Sequence, residues 1–424
     1  MKHPNYLLTA VFLLISASSL LSQTTKEEFL KNRRHASGIY QPYYFEAVES
    51  TPAPKGYKPF YISHYGRHGS RWVQTAETYT YPQGILSKAH DEGKLTPLGE
   101  SVYKRVDAAA KDAWNRYGDL SQLGANEHRE IAERMFQSFP EVFSTKKGKQ
   151  CKVYSRSTVV PRCILSMAAN NEKLKELNPR IKFIREASDR NRYLNNRYTQ
   201  TKKDSVNAIR DNFLAERLNL NGFKSKLFND SVYAARIVDN PLSFMKSIHL
   251  IATDIPCVDS LDFTLFDIFT DDELFTLWQG NNMSLYYTCG PSNANGKVVR
   301  DSSKLLLKDI LDCAEKAVNG GDISADLRFG HDTYIIPLLT LMDIKGMNIT
   351  TDNPEKIYQF WSDFKISPMG VNLQIIFYRS SNDSEILVKL LHCEKEVEIP
   401  IKSDIAPYYK WEDFKAYYKA KLSE

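Results

Sequence analysis

Residues 60–71 read FYISHYGRHGSR. The run Phe60-Tyr61-Ile62 is apolar and β-favouring, and it gives way to a segment in which Gly66 and Gly69 bracket Arg67 and His68, with Arg71 just beyond. This pattern predicts a strand that ends in a cationic loop. In an open α/β sheet, ligands bind in the crevice at the carboxyl ends of the strands, and guanidinium forks suit an anion such as a phosphate. A neutral imidazole held among those forks adds a nucleophile that can attack phosphorus and become phosphorylated.

Working outward, a chain of 424 residues exceeds the size at which a single core stops growing, so one large α/β domain with a substantial insertion, or two domains, is expected. A composition of 42% hydrophobic and 25% charged residues excludes a mostly disordered chain. The formal charge of +5 is too mild to argue for nucleic acid. Residues 1–22 have a basic start at Lys2, an apolar run from Tyr6 to Ile15 and small residues from Ala17 to Ser22. They read as a cleaved signal peptide, too short and too polar at the end for a membrane span, so a secreted or periplasmic protein without stable membrane association is expected. Residues 23–56 carry the basic patch Lys31, Arg33, Arg34, His35 and most of a proline-rich run, TPAPKGYKP at 51–59, and read as a solvated lead-in. Six cysteines (151, 163, 257, 289, 313, 393) in an exported chain permit up to three disulfides, and none falls in a metal-binding cluster.

From 74 to 140 the apolar spacing is helical, with Leu98, Val102 and Val106 on one face of one helix and Ile131, Met135 and Phe139 on one face of another. KLTPLGE (94–100) and DLSQLGANEH (119–128) each place a hydroxyl where it can cap the helix that follows. Cys151–Tyr154 is a short β-like run leading through SRSTVVPRC into a helix, which brings a second loop to the same sheet edge with Arg162 at the start of its helix and Arg156 as a rival candidate. Ile181–Ile184 reads as a further strand, and 188–322 as an inserted α-helical subdomain that begins with Arg190, Arg192, Arg197 and Lys202. ADLRFG (325–330) then ends in His331-Asp332 ahead of a helix, whose free N–H groups favour an anion. A second His-Asp pair, His90-Asp91, lacks a preceding strand. Residues 366–380 and 385–401 read as a β-hairpin at a sheet edge, and Trp411–Leu422 as a terminal helix. The expected architecture is a three-layer α/β sandwich: a mostly parallel central sheet built from 57–187 and 323–424, with the helical insertion 188–322 forming part of the cleft.

The motifs together resemble a known family. RHGSR at 67–71 resembles the RHG-x-R signature of the histidine phosphatase superfamily, in the branch of the histidine acid phosphatases, phytases and multiple inositol polyphosphate phosphatases. The Leu-Thr/Ser-x-Leu-Gly phrases resemble that family's helix openings, Ser157–Cys163 resembles its second arginine-bearing string, His331-Asp332 its HD motif, and the Pro368 phrase its closing segment. The resemblance implies His68 as nucleophile, Asp332 as proton donor, and Arg67, Arg71, Arg162 and His331 as phosphate ligands, with no metal and no cofactor. It departs in two places. Trp72-Val73 stands where the branch commonly has one residue and a proline, and some relatives acting on inositol polyphosphates have an HAE phrase instead of HD. The implied activity is hydrolysis of a small-molecule phosphate monoester, inositol polyphosphates among the candidates, with an acidic to weakly acidic optimum because an aspartate among arginines stays protonated only at lower pH. The competing readings are a phosphotransferase or mutase using the same phosphohistidine, and a binding protein for phosphorylated ligands. Oligomeric state is open.

Overall fold

The structure, a computed structural model, describes residues 26–194 and 203–424. The signal-peptide reading of 1–22, Arg197 and Lys202 lie outside the described residues. In chain order the first elements are strand β1 (Tyr57–Arg67), helices α1 (Ala76–Asp91), α2 (Pro97–Ala113) and α3 (Gln122–Ser138), strand β2 (Lys152–Ser157), helix α4 (Pro161–Leu177) and strand β3 (Lys182–Ala187). The longer helices after β3 include α5 (Pro241–Asp254), α6 (Asp271–Cys289) and α7 (Lys304–Val318). Strand β4 (Ile323–Gly330) and helix α8 (Asp332–Leu341) follow, then strands β5 (Asn372–Ser380), β6 (Leu387–His392), β7 (Lys395–Glu396) and β8 (Tyr409–Lys410), and helix α9 (Trp411–Ser423).

The strands form one mixed sheet in the order β3-β2-β4-β1-β5-β6-β7, with β8 on β6. It is parallel from β3 to β1 and antiparallel from β1 onward, because β5 and β6 are joined as the hairpin expected from sequence. Register sets the carboxyl ends level: Arg67 pairs with Gly330, and Ser157 with Phe329. The loops after β1, β2 and β4 therefore open on one edge, as the doubly wound rule requires.

Strand alternation divides the residues between two faces. Ile62, Val153, Ala325, Leu327 and Phe329 join Ala132, Met135, Met167 and Leu174 of α3 and α4 in one core. Tyr61 and Tyr65 point the other way, into a larger core that runs through Phe244, Trp278 and Ile310 of α5–α7. On that face the sheet also carries charge. Arg156 binds Asp326 at 2.5 Å and Asp309 at 2.9 Å, and Arg328 binds the same Asp309 at 2.7 Å. Burying these ions is tolerable only because each is paired and further hydrogen-bonded, Asp326 to Tyr61 Oη and Arg328 to Ser63 Oγ.

The two caps expected from sequence are present: Thr96 accepts from Gly99 N and Ser121 from Gly124 N. Two expectations fail. Residues 33–43 are not a solvated lead-in, since Ala36, Ser37 and Gly38 are buried and this stretch reaches the sheet's carboxyl edge. Nor do Cys151, Cys163, Cys257, Cys313 or Cys393 form a disulfide; three of the five are buried, where a thiol packs as a small apolar group. No helix among the described residues is long and apolar enough to cross a membrane.

Candidate active site

The loop after β1 is held from every side. Arg67 N donates to Val371 O, His68 N to Gly330 O, and Gly370 N to His68 O, so the end of β4 and the segment leading into β5 fix its backbone. Gly69 and Gly124 then touch: a Cβ on Gly69 would lie 2.3 Å from Gly124 O, and one on Gly124 would lie 2.1 Å from Ser70 O. Only two glycines permit α3 to start this close to the loop. Its Glu127 accepts Ser70 N, Ser70 Oγ and Tyr43 N, each at 2.7 Å, and is only 4% exposed. His128 Nε2 donates to Arg67 O at 3.0 Å.

Within this frame the His68 ring has a defined tautomer. Nδ1 lies 2.9 Å from Gly69 O, a pure acceptor, so Nδ1 carries the proton and Nε2 keeps its lone pair. Burial, reinforced by the positive charges of Arg67, Arg71 and Arg162 and by His331, holds the His68 pKa well below the usual histidine value. The imidazole therefore stays neutral at pH values where an ordinary histidine begins to protonate.

The other sequence-predicted residues converge here. The Arg67 guanidinium is fully buried; Nη1 donates to Ile39 O and Ser367 O, and Nη2 meets Asp332 Oδ2 at 3.0 Å. Arg71 donates Nη1 to Trp72 O and lies over the Tyr40 ring, 5.1 Å from its centroid. Arg162, at the start of α4, reaches Gly118 O at 3.4 Å, a long contact. Arg71 Nε and Arg162 Nε are buried without an acceptor among the described residues. Donors left so are costly unless an anion completes them. The His331 ring stands edge to face with His68, 5.6 Å between centroids, and its Nε2 is 3.4 Å from Thr158 Oγ1. Burial and then Arg162 push His331 down to about 4. Asp332 is 15% exposed, at the opening of the site, and takes the first turn of α8, with Thr333 N donating to Oδ1 at 2.7 Å. Burial by itself raises its carboxyl, but Arg67, His331 and Arg71 outweigh that and hold it below the usual aspartate value.

Arg156, the rival to Arg162, is excluded. It lies in β2 on the face covered by α7, where its two Nη groups are taken by Asp309, Asp326 and Tyr193 Oη. His90 pairs with Glu100, away from the sheet edge. Val73, in the position where the resemblance leads one to expect proline, has an N–H to satisfy, and Tyr79 Oη accepts it at 3.1 Å while donating to the buried Asp254 of α5. Burial raises the Asp254 carboxyl to about 7.

Sequence reasoning missed Glu127, Ile39, Tyr40 and Asp363. Glu127 was readable, because it extends the stripe Ile131–Met135 back by one helical turn and so places a charge on a buried face. Residues 38–40 carried no local signal.

No family model and no curated protein sequence matches the chain. Solved structures do. The multiple inositol polyphosphate phosphatase of Bifidobacterium longum, in complex with inositol hexasulfate, superposes with a TM-score of 0.74 at 17% identity, over 92% of this chain and 97% of that one. The phytase of D. castellii gives 0.67 at 16% identity, over 92% and 85%. The Hafnia alvei phytase gives 0.53 at 12% identity, over 87% and 98%. The chain thus has the fold of these inositol polyphosphate phosphatase and phytase structures.

Proposed function

We propose that the chain is an exported histidine acid phosphatase that hydrolyses phosphate monoesters through a phosphohistidine at His68. The observation that carries this reading is the convergence, from three separate stretches of sequence, of a neutral imidazole with its Nε2 free, two buried guanidinium groups and a third partly buried one, a second imidazole and a carboxyl at the opening. Arg67, Arg71, Arg162 and His331 stabilise the equatorial oxygens of the transferring phosphoryl group. His68 Nε2 attacks phosphorus, the P–N bond forms, the P–O bond to the leaving alkoxide breaks, and Asp332 supplies the proton that this oxygen needs. In the second half-reaction the Asp332 carboxylate takes a proton from the water that displaces His68.

The arginine pairing explains why Asp332 can serve both halves. In the free protein it is ionised beside Arg67. A bound phosphate dianion occupies the same cations, weakens their pull on Asp332 and raises its pKa, so the acid is formed when substrate is present. Two of the structural neighbours are phytases and one was solved with inositol hexasulfate, which supports inositol polyphosphates as a substrate class for this site. The helices of 188–322 supply one wall of the cleft, a role supported by α5, whose Asp254 holds Tyr79, and by Cys257, whose carbonyl accepts Ser121 Oγ.

The test is phosphate release from inositol hexakisphosphate and from a small aryl phosphate, from about pH 3 to about pH 8. Release from both that disappears in His68→Ala supports the enzyme reading, and the ratio of the two rates sets the substrate class. No release from either by the wild type overturns it in favour of a binding protein.

A further inference from the structure

Arg67 and Arg71 flank His68, and two consecutive residues from the start of the chain hold them. The Ile39 carbonyl accepts Arg67 Nη1 at 2.6 Å, and the Tyr40 ring lies under the Arg71 guanidinium at 5.1 Å. This pair is itself anchored. Gly38 has φ 53° and ψ −125°, a conformation left to glycine, and a Cβ there would lie 2.5 Å from Asp363 Oδ2. Asp363, 2% exposed, accepts Ile39 N through Oδ2 at 3.2 Å and Trp278 Nε1 through Oδ1 at 2.8 Å, while its own N–H donates to Asn282 Oδ1. On the far side of the pair, Cys257 Sγ donates to Tyr40 O, and Met369 N to Gln41 O.

Packing alone does not account for a carboxylate in this place. Asp363 has no cationic partner in hydrogen-bond contact among the described residues; it faces N–H groups, which an apolar side chain of the same size would leave without an acceptor. What a carboxylate does here is accept from two donors at once and hold the Gly38–Ile39 peptide unit, next in the chain to the unit that carries the Ile39 carbonyl. That carbonyl takes the hydrogen bond of Arg67 Nη1, leaving Nη2 to meet Asp332 and Nε buried without an acceptor among the described residues.

We infer that residues 38–40, fixed by Asp363, form a clamp that orients both arginines for phosphate, and that Asp363 is a positioning residue of this site. This rests on the phosphatase reading for its chemistry but not for its geometry. Asp363→Asn keeps the shape and turns one of the two acceptors into a donor facing an N–H, and Gly38→Ala drives a methyl into the same carboxylate. Both are expected to lower kcat/KM for an aryl phosphate at least tenfold and to raise the inhibition constant of inorganic phosphate by a similar factor. Phe414→Leu, a core change in α9, serves as the control: at a comparable loss of thermal stability it keeps both constants within twofold of wild type. Tyr40→Leu removes the ring face and keeps apolar volume, so it still reads the clamp if the buried variants do not fold; about fivefold weaker phosphate inhibition is expected. Unchanged kcat/KM and phosphate inhibition in the folded variants of an active enzyme would overturn the clamp. Should the wild type release no phosphate, the phosphatase reading fails separately, and calorimetric titration of inorganic phosphate into wild type and Tyr40→Leu still decides the clamp, equal affinities counting against it.

Discussion

Glu127→Gln isolates what the helix behind the catalytic loop contributes. The carboxylate accepts three N–H or O–H groups, Oε2 from Ser70 N and Oε1 from Ser70 Oγ and Tyr43 N, in a place only 4% exposed. Glutamine keeps the shape but has one acceptor oxygen. Whichever way its amide lies, an NH2 then faces at least one N–H donor. A hydrogen bond to an ionised group is worth about 1.5–3 kcal/mol, and the opposed donors add to its loss, so about 3 kcal/mol of strain falls on Ser70, two residues from His68. If the loop relaxes by shifting, that energy appears as lost transition-state stabilisation of about 100-fold in kcat/KM. Kinetics with an aryl phosphate at about pH 6, read beside a denaturant midpoint, measure both parts. Ser70→Ala, which removes one of the three donors and leaves both oxygens as acceptors, is expected to cost tenfold or less. A Glu127→Gln protein within threefold of wild-type kcat/KM would refute the claim that this carboxylate sets the loop.

Further outcomes are specific to other groups. Arg162→Ala is expected to lose about 10- to 100-fold in kcat/KM with little change in stability, whereas Arg156→Met, which leaves Asp326 buried without its cation, is expected to lose about 3–5 kcal/mol of stability and to keep kcat in the folded fraction; denaturant melts with kinetics separate the two. Burial holds His249 of α5 down to about 4, and its Nε2 lacks a partner among the described residues. A histidine depressed in the folded state adds stability above its unfolded pKa and loses it as pH falls towards the folded one. His249→Leu is therefore expected to flatten the decline in unfolding free energy between about pH 7 and about pH 5 by about 2 kcal/mol, and an unchanged slope counts against a neutral buried His249. Asp332→Asn is expected to remove the acid-side preference for substrates with poor leaving groups, most visibly as a flat pH profile for residual kcat.

The parts of this molecule that could be read from sequence are those whose causes are local. A strand that runs into Gly-bracketed cations, a hydroxyl one residue before a helix, and a proline at a helix start each act over a few residues, and β1, α2, α3, α4 and β4 lie where those signals put them. Arg162 and Arg156 could not be separated that way. The sheet separates them: alternation along β2 turns Arg156 to the face covered by α7, and Arg162 stands one turn further on, at the edge. The clamp was hidden for the opposite reason. Ile39 is fixed by a carboxylate 324 residues away, and a polar segment with no apolar period gives no sign of such a contact. Conversely, the cysteines suggested cross-links, yet Cys151, Cys163, Cys257, Cys313 and Cys393 form none, and three of these five are buried as small apolar groups.

The central claim is that His68 Nε2 becomes covalently phosphorylated. The most direct measurement is to mix the enzyme with a radiolabelled phosphate ester, quench in alkali, where a phosphohistidine survives, and locate the label. The account predicts label on His68 in the wild type, accumulation in Asp332→Asn if hydrolysis of the intermediate is slowed more than its formation, and neither label nor phosphate release in His68→Ala. Phosphate release by His68→Ala at the wild-type rate would contradict it.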